Sequence, residues 1–179
     1  MAIRISLIWL WAPCVLLSVA RNDGGRETGR LSDGEFVAWA VSASRFEIEA
    51  GGLAYAKAAD NGMMEYGRLL ASDRGAMCAE LAILADSGGW DLPDGLMASE
   101  QRMLTALGGL EGEAFEREFM HSMARHRDDM VALFEWATGP EGVRDDELRH
   151  WAATKLQVMQ SCFWQAPART GSITVASAR

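Results

Sequence analysis

A chain of 179 residues with 25 Asp and Glu against 17 Lys and Arg, net charge −8, has room for one domain with a substantial core. The acidic side chains are spread along the chain and no block of Lys and Arg exists. That excludes a nucleic-acid partner, which needs a clustered basic face, and leaves the charge as a solvated surface.

Residues 1–20 have the pattern of a signal peptide. Arg4 supplies the positive start, Ile5 to Leu17 is an apolar run interrupted by Pro13, and Ser18-Val19-Ala20 places small residues where a peptidase cuts. The run is short of the roughly 20 apolar residues a membrane span needs, so cleavage after Ala20 is expected, with no stable span afterwards. An uncleaved anchor is the alternative. Trp11-Ala12-Pro13 is a poor lipidation context for Cys14, so the exported chain keeps two cysteines, Cys78 and Cys162.

Residues 21–31 are polar and Gly-rich, a flexible linker. Ser32-Asp-Gly-Glu35 has the spacing of a capping box and opens the first helix. On it Phe36, Ala40, Ala43, Glu47, Ala50, Ala54 and Ala58 share one face, widened by Trp39, Phe46 and Leu53. Asp60-Asn61-Gly62 is turn chemistry, and so short a connection makes the second helix an antiparallel neighbour.

The second helix, Met63 to Asp86, carries Met63, Leu70, Arg74, Met77, Leu81 and Leu84 on one stripe and ends at Ser87-Gly-Gly. A longer connection follows, with Leu92-Pro93-Asp94 and a short amphipathic helix over Ser99 to Leu107. The third long helix has an apolar stripe of Phe119, Met123, Met130, Leu133 and Ala137, and His126 lies inside it. It stops at Thr138-Gly139-Pro140. The fourth runs from Asp145 to Gln165, with Leu148, Ala152, Leu156, Met159 and Phe163 inward. Residues 166–179 form a small, polar tail expected to be disordered. With no alternating strand pattern and no repeat, the fold class is all-α: a four-helix bundle over 32–165 with one extra short helix between helices two and three.

Several segments resemble one bacterial family. They are Ser44-Arg-Phe-Glu47-Ile-Glu-Ala-Gly, Gly67-Arg-Leu-Leu-Ala-Ser-Asp73-Arg74, Cys78-Ala-Glu80-Leu, Leu92-Pro93, Phe115-Glu-Arg-Glu-Phe-Met, and His126 with Leu133-Phe134-Glu135. In this order and spacing they are similar to the exported ferritin-like proteins catalogued as domain of unknown function 4142. The resemblance implies a ferritin-like bundle with a long crossover between helices two and three, and a periplasmic or outer-membrane-associated place in the cell envelope. It also implies a Glu on helix one and a His on each later long helix. Glu47 and His126 match that pattern. Arg74 and Cys162 stand where two of the histidines would be, and Gln157 stands in place of a Pro after Leu156.

The candidate site is therefore a buried polar cluster of Glu47, Arg74, His126 and Cys162. A guanidinium has no lone pair to give and stays protonated, so an internal ion pair is expected and no cofactor. The alternative is a divalent transition metal held by the remaining ligands. The pairs Glu118-x-x-His121 and Glu147-x-x-His150 mimic di-metal carboxylate motifs. They lie on polar faces, roughly 25 Å apart if their helices are antiparallel neighbours, and are expected to be surface pairs. Ser122 lies four residues from His126 without a backbone oxyanion device. Met63, Met77, Met123, Met130 and Met159 fall on apolar stripes, where Met fills core, and Trp39, Trp136, Trp151 and Trp164 border them. Two free thiols are expected at Cys78 and Cys162.

The leading functional expectation is a non-enzymatic, exported bundle of the cell envelope that acts by binding or structure, with an envelope protein as partner. Two alternatives stand beside it. One is a degenerate ferritin-like metal-binding or redox protein, the other a small-ligand carrier using a cleft between helices.

Overall fold

The computed structural model describes residues 31–161. The expected signal peptide and all of the linker except Leu31, the end of the fourth long helix with Cys162 and Phe163, and the tail lie outside them. Five helices make up the described residues, with no strand: α1 (Asp33–Lys57), α2 (Asn61–Gly88), α3 (Ala98–Gly108), α4 (Gly112–Thr138) and α5 (Asp146–Ser161). No described helix is long and apolar enough to cross a membrane.

The helix starts follow the local chemistry. Ser32 forms the expected capping box, with its Oγ accepting from Glu35 N at 3.2 Å and Glu35 accepting from Ser32 N at 2.7 Å. The Asp60 carboxylate caps α2 by accepting from Met63 N at 2.9 Å, and Asp145 caps α5 by accepting from Leu148 N at 2.8 Å. Gly89 ends α2 at φ +67°, the left-handed conformation that a Cβ would strain.

Cross-helix contacts fix the topology. Gly51 faces Gly67 and Glu47 pairs with Arg74, so α1 and α2 are antiparallel. Phe36 packs on Phe134 with ring centroids 5.3 Å apart, while Lys57 reaches Glu111 at 2.9 Å, so α4 is antiparallel to α1 as well. Hence α2 and α4 run the same way, and the chain must recross the bundle's length between them. Residues 89–111 do this along the flank of α1, carrying α3. Met97 N donates to Ser42 Oγ at 2.8 Å, Arg45 donates to Pro93 O, and Lys57 Nζ donates to Gly108 O at 2.7 Å and Leu110 O at 3.0 Å. This is the crossover order implied by the family resemblance.

The crossover leaves α1 enclosed by α2, α4 and α3. Twelve of its residues are buried, against six on the longer α2. The core divides by level. One cluster includes Phe36, Val41, Leu81, Phe134 and Leu148, and the other includes Phe46, Ala50, Leu107, Phe115 and Phe119. The stripe expected on α4 needs one correction: Phe134 is fully buried, while Leu133 is only partly so. The core face runs through Met130, Phe134 and Ala137, at spacings of four and three where the expected stripe took three and four.

Candidate functional site

Where the two core clusters meet, three helices place polar side chains against one another. Glu47 on α1 is 3% exposed, Arg74 on α2 is 16% exposed and His126 on α4 is 5% exposed. Arg74 Nε donates to Glu47 Oε2, and His126 Nδ1 lies 3.0 Å from Glu47 Oε1. The guanidinium also donates from Nη1 to Asp73 Oδ2 at 2.9 Å and touches Met77 Sδ at 3.8 Å. Phe46 packs against the imidazole, with centroids 4.7 Å apart. The sequence stripes bring these groups together: glycines at 51 and 67 let α1 and α2 approach until a Cβ on either would overlap the other's carbonyl oxygen.

Burial pushes the Glu47 carboxyl up, but the hydrogen bond with His126 and the charge of Arg74 overcome it and hold the group below the ordinary carboxylate range. For Arg74 burial works against the charged form, and Glu47 reverses that, so the guanidinium is held above its usual value. An ionised carboxylate only accepts hydrogen bonds, so His126 Nδ1 carries the hydrogen facing it. Nε2 is the ring nitrogen that Glu47 leaves unengaged. Tyr66, on the α2 stripe two turns before Arg74, has its phenol pushed up to about 12, by burial first and then by the Glu47 charge.

Three of the four candidate residues are thus brought together, and Cys162 lies outside the described residues. Glu147, His150 and His121 are exposed. Ser122 is buried but donates to Glu118 Oε1 on its own helix at 3.3 Å. Among the described residues Cys78 is a free, half-buried thiol pushed up by burial. The five stripe methionines are all in the core, and Trp39, Trp136 and Trp151 are partly buried. Among the described residues no three His, Cys, Asp or Glu side chains are grouped closely enough to hold a metal ion. A groove of about 450 Å³ between α1 and α3, lined by Leu53, Leu104 and Glu49 among others, is wide open to solvent.

Sequence reasoning missed a second polar node. Glu80 Oε2 on α2 accepts from Trp151 Nε1 at 2.6 Å and Lys155 Nζ at 2.6 Å, both on α5, and the Lys155 ammonium lies 5.9 Å from the Trp151 ring centre. The available signal was Trp151 and Lys155 at i, i+4 on the border of an apolar face.

A family model described as Domain of unknown function (DUF4142) matches residues 20–168. No curated protein matches the chain. Two solved structures are similar. One is a DUF305 protein from Streptomyces coelicolor described as secreted, at 14% identity and TM-score 0.58, covering 72% of this chain and 84% of that one. The other is CopM in its Cu(II)-bound form, at 16% identity and TM-score 0.53, covering 74% of this chain and 95% of that one. At such identities the likeness bears on the fold, an all-helical bundle, and on nothing else.

Proposed function

Because the chain belongs to the family described as Domain of unknown function (DUF4142), which carries no assigned activity, we propose a function from the geometry: a non-catalytic, exported helical-bundle protein of the cell envelope that acts by binding or structure. One observation carries the reading. Both oxygens of Glu47 are engaged, one by a guanidinium and one by an imidazole N–H, so the charge at the centre of the bundle is balanced by the protein itself. The group in the position of a second ligand is a cation that repels metal ions. The polar centre then holds three helices in register, and partners meet the outer faces. Export is supported by Arg4, the apolar run and Ser18-Val-Ala20. A periplasmic location follows from that reading.

The test is elemental analysis of protein purified without an affinity tag. The expected result is less than a tenth of a metal equivalent per chain in the wild type and a clear gain of divalent transition-metal affinity in Arg74→His. Stoichiometric metal in the wild type overturns the reading.

A second reading has its own observation. A carboxylate that fixes a histidine by its Nδ1–H and leaves Nε2 outward is the usual outer-shell arrangement of a metal-ligating histidine, and one structural neighbour binds Cu(II). In this reading His126 would ligate a transition metal with Glu47 as its orienting group. Loss of metal uptake in His126→Phe but not in a distant control would support it. The open groove against α3 encloses too little of a ligand's surface to favour a small-molecule carrier.

A further inference from the structure

Helix α5, as described to Ser161, has 16 residues against 27 in its antiparallel neighbour α4, so about 16 Å of α4 continues past its end. Along its own length α5 fills the cleft between α2 and α4. Trp151 packs on Phe134, and Trp151 and Lys155 both donate to Glu80. Beyond Ser161, α2 and α4 both pack on α1 and scarcely on each other. Apolar side chains line that part of the cleft: Tyr66 and Leu70 on α2, Met120 and Met123 on α4, with Tyr66 reaching Phe119 at a centroid distance of 5.7 Å. The end of α5 enters the cleft at the level of the polar cluster. Arg127 Nη2 donates to Met159 O at 3.1 Å and Gln160 Nε2 donates to Glu135 Oε1 at 3.2 Å, which holds the last turn beside α4 close to His126. On the other wall Lys155 sits opposite Glu80. Equal rise along antiparallel helices then brings the chain about seven or eight residues after Lys155 level with Asp73 and Arg74.

We propose that residues 162–165, which lie outside the described residues, continue α5 by one turn and seat Phe163 in this cleft, against Leu70 and over the Arg74 side of the polar cluster. The sequence supplies the occupant. Leu148, Ala152 and Met159 are the buried side of α5, and Phe163 is the next position on that row, four residues on. No Gly or Pro stands between Ser161 and Pro167, and a proline disfavours helix at the residue before it, so the turn has room to form and a place to stop. The segment is tethered at Ser161, at the mouth of the cleft. It therefore avoids the loss of translational and rotational freedom that a separate chain must overcome. Arg74 is the most exposed of the three described members of the cluster, at 16%. An aromatic ring seated beside it limits the access of water to the guanidinium and to the carboxylate it holds. The placement does not depend on whether the cluster binds metal, and the measurements that follow read it without reference to metal.

Hydrogen exchange of the exported chain, followed amide by amide by NMR, tests the added turn without any substitution. The amides of Phe163, Trp164 and Gln165 are expected to exchange at least about a hundredfold more slowly than those after Pro167. Exchange at the rate of an unstructured chain overturns the proposal. Protection that rises with protein concentration would mean that a second copy supplies the cover, and overturns it as well. A double-mutant cycle in urea unfolding then locates the seat. Phe163→Ala and Leu70→Ala should be non-additive by at least about threefold in the folding equilibrium constant. Phe163→Ala and Leu107→Ala, which lies on α3, should be additive. Additive losses at Phe163 and Leu70 overturn the cleft assignment even where the amides are protected. Exchange of the Arg74 Nε–H should quicken at least about tenfold in Phe163→Ala, with circular dichroism confirming that the variant is folded. An unchanged Arg74 Nε–H would place the ring away from the cluster and overturn that part of the geometry.

Discussion

Glu47 and Glu80 are built alike and sit in different solvents. Each carboxylate joins helices by accepting from one cation and one aromatic N–H: Arg74 and His126 for Glu47, Lys155 and Trp151 for Glu80. Glu47 is 3% exposed and its node ties three helices, whereas Glu80 is 43% exposed and ties two. In the interior the desolvation cost is large and so is the mutual attraction, and the two nearly offset while all partners are present. At the surface both are small. The buried node therefore contributes little net stability when complete but is costly to break, while the exposed one is cheap either way.

The largest test of that contrast is removal of one partner. Arg74→Ala strands a buried carboxylate and is expected to cost about 3–5 kcal/mol in urea unfolding, whereas Glu47→Ala leaves the guanidinium its exposed partner Asp73 and is expected to cost somewhat less. The double change should cost less than the sum, because it strands neither charge. Mild, additive losses would mean that the pair is not desolvated, and the comparison with Glu80 would collapse.

The buried node also depends on how closely α1 and α2 approach, which is a property of Gly51 and Gly67. A Cβ at position 67 meets the backbone of α1, which cannot move aside as a flexible side chain would. Gly67→Ala is expected to lose about 1–3 kcal/mol by overpacking. It should also weaken Glu47–Arg74 coupling in a double-mutant cycle, with the Glu80 node unchanged. Full retention of that coupling would show that the pair tolerates a wider helix spacing.

Acid separates the nodes next. The folded Glu47 carboxyl lies below the 4.5 of an unperturbed glutamate, with His126 and Arg74 overcoming its burial. The unfolded chain therefore binds more protons than the folded one across that window, and stability rises with pH there. Its contribution is present above about 4.5 and is lost as pH falls through the depressed folded value. Glu47→Gln should flatten this segment of the stability profile without moving the neutral-pH shape of the curve. A profile as steep as the wild type's would assign the acid response to other carboxylates.

Much of this was legible in the residues. The helices, the turn at Asp60, the capping box and the meeting of Glu47 with Arg74 follow from periodicity and from equal rise along two antiparallel helices. The length between Ser87 and Gly112 allows a crossover and the family resemblance implied one, but its course along α1 was not legible. That course depends on single bonds such as Met97 N to Ser42 Oγ, which no periodicity encodes. The Glu80 node escaped for a related reason: Lys155 and Trp151 look like ordinary border residues until α5 is laid beside α2. Surface polar pairs are set by the final helix spacing, whereas a charge on an apolar stripe announces itself.

The smallest effect is expected at that surface node, and it is the one most sensitive to conditions. Hydrogen bonds from Lys155 and Trp151 lower the Glu80 carboxyl against a modest opposing burial, but 43% exposure leaves the pair open to solvent screening. Lys155→Ala is accordingly expected to cost less than about 1 kcal/mol, and the loss should shrink further in about 0.5 M salt, where the Debye length is only a few ångströms. Arg74→Ala should cost nearly the same at both salt concentrations, since its partner is buried. Trp151 offers a check on geometry: its fluorescence should shift in Glu80→Ala, where the indole N–H loses its acceptor, and stay near the wild-type position in Lys155→Ala, where it does not. A large, salt-independent loss in Lys155→Ala would mean that the α2–α5 edge is desolvated in solution, as it would be if another surface covered it.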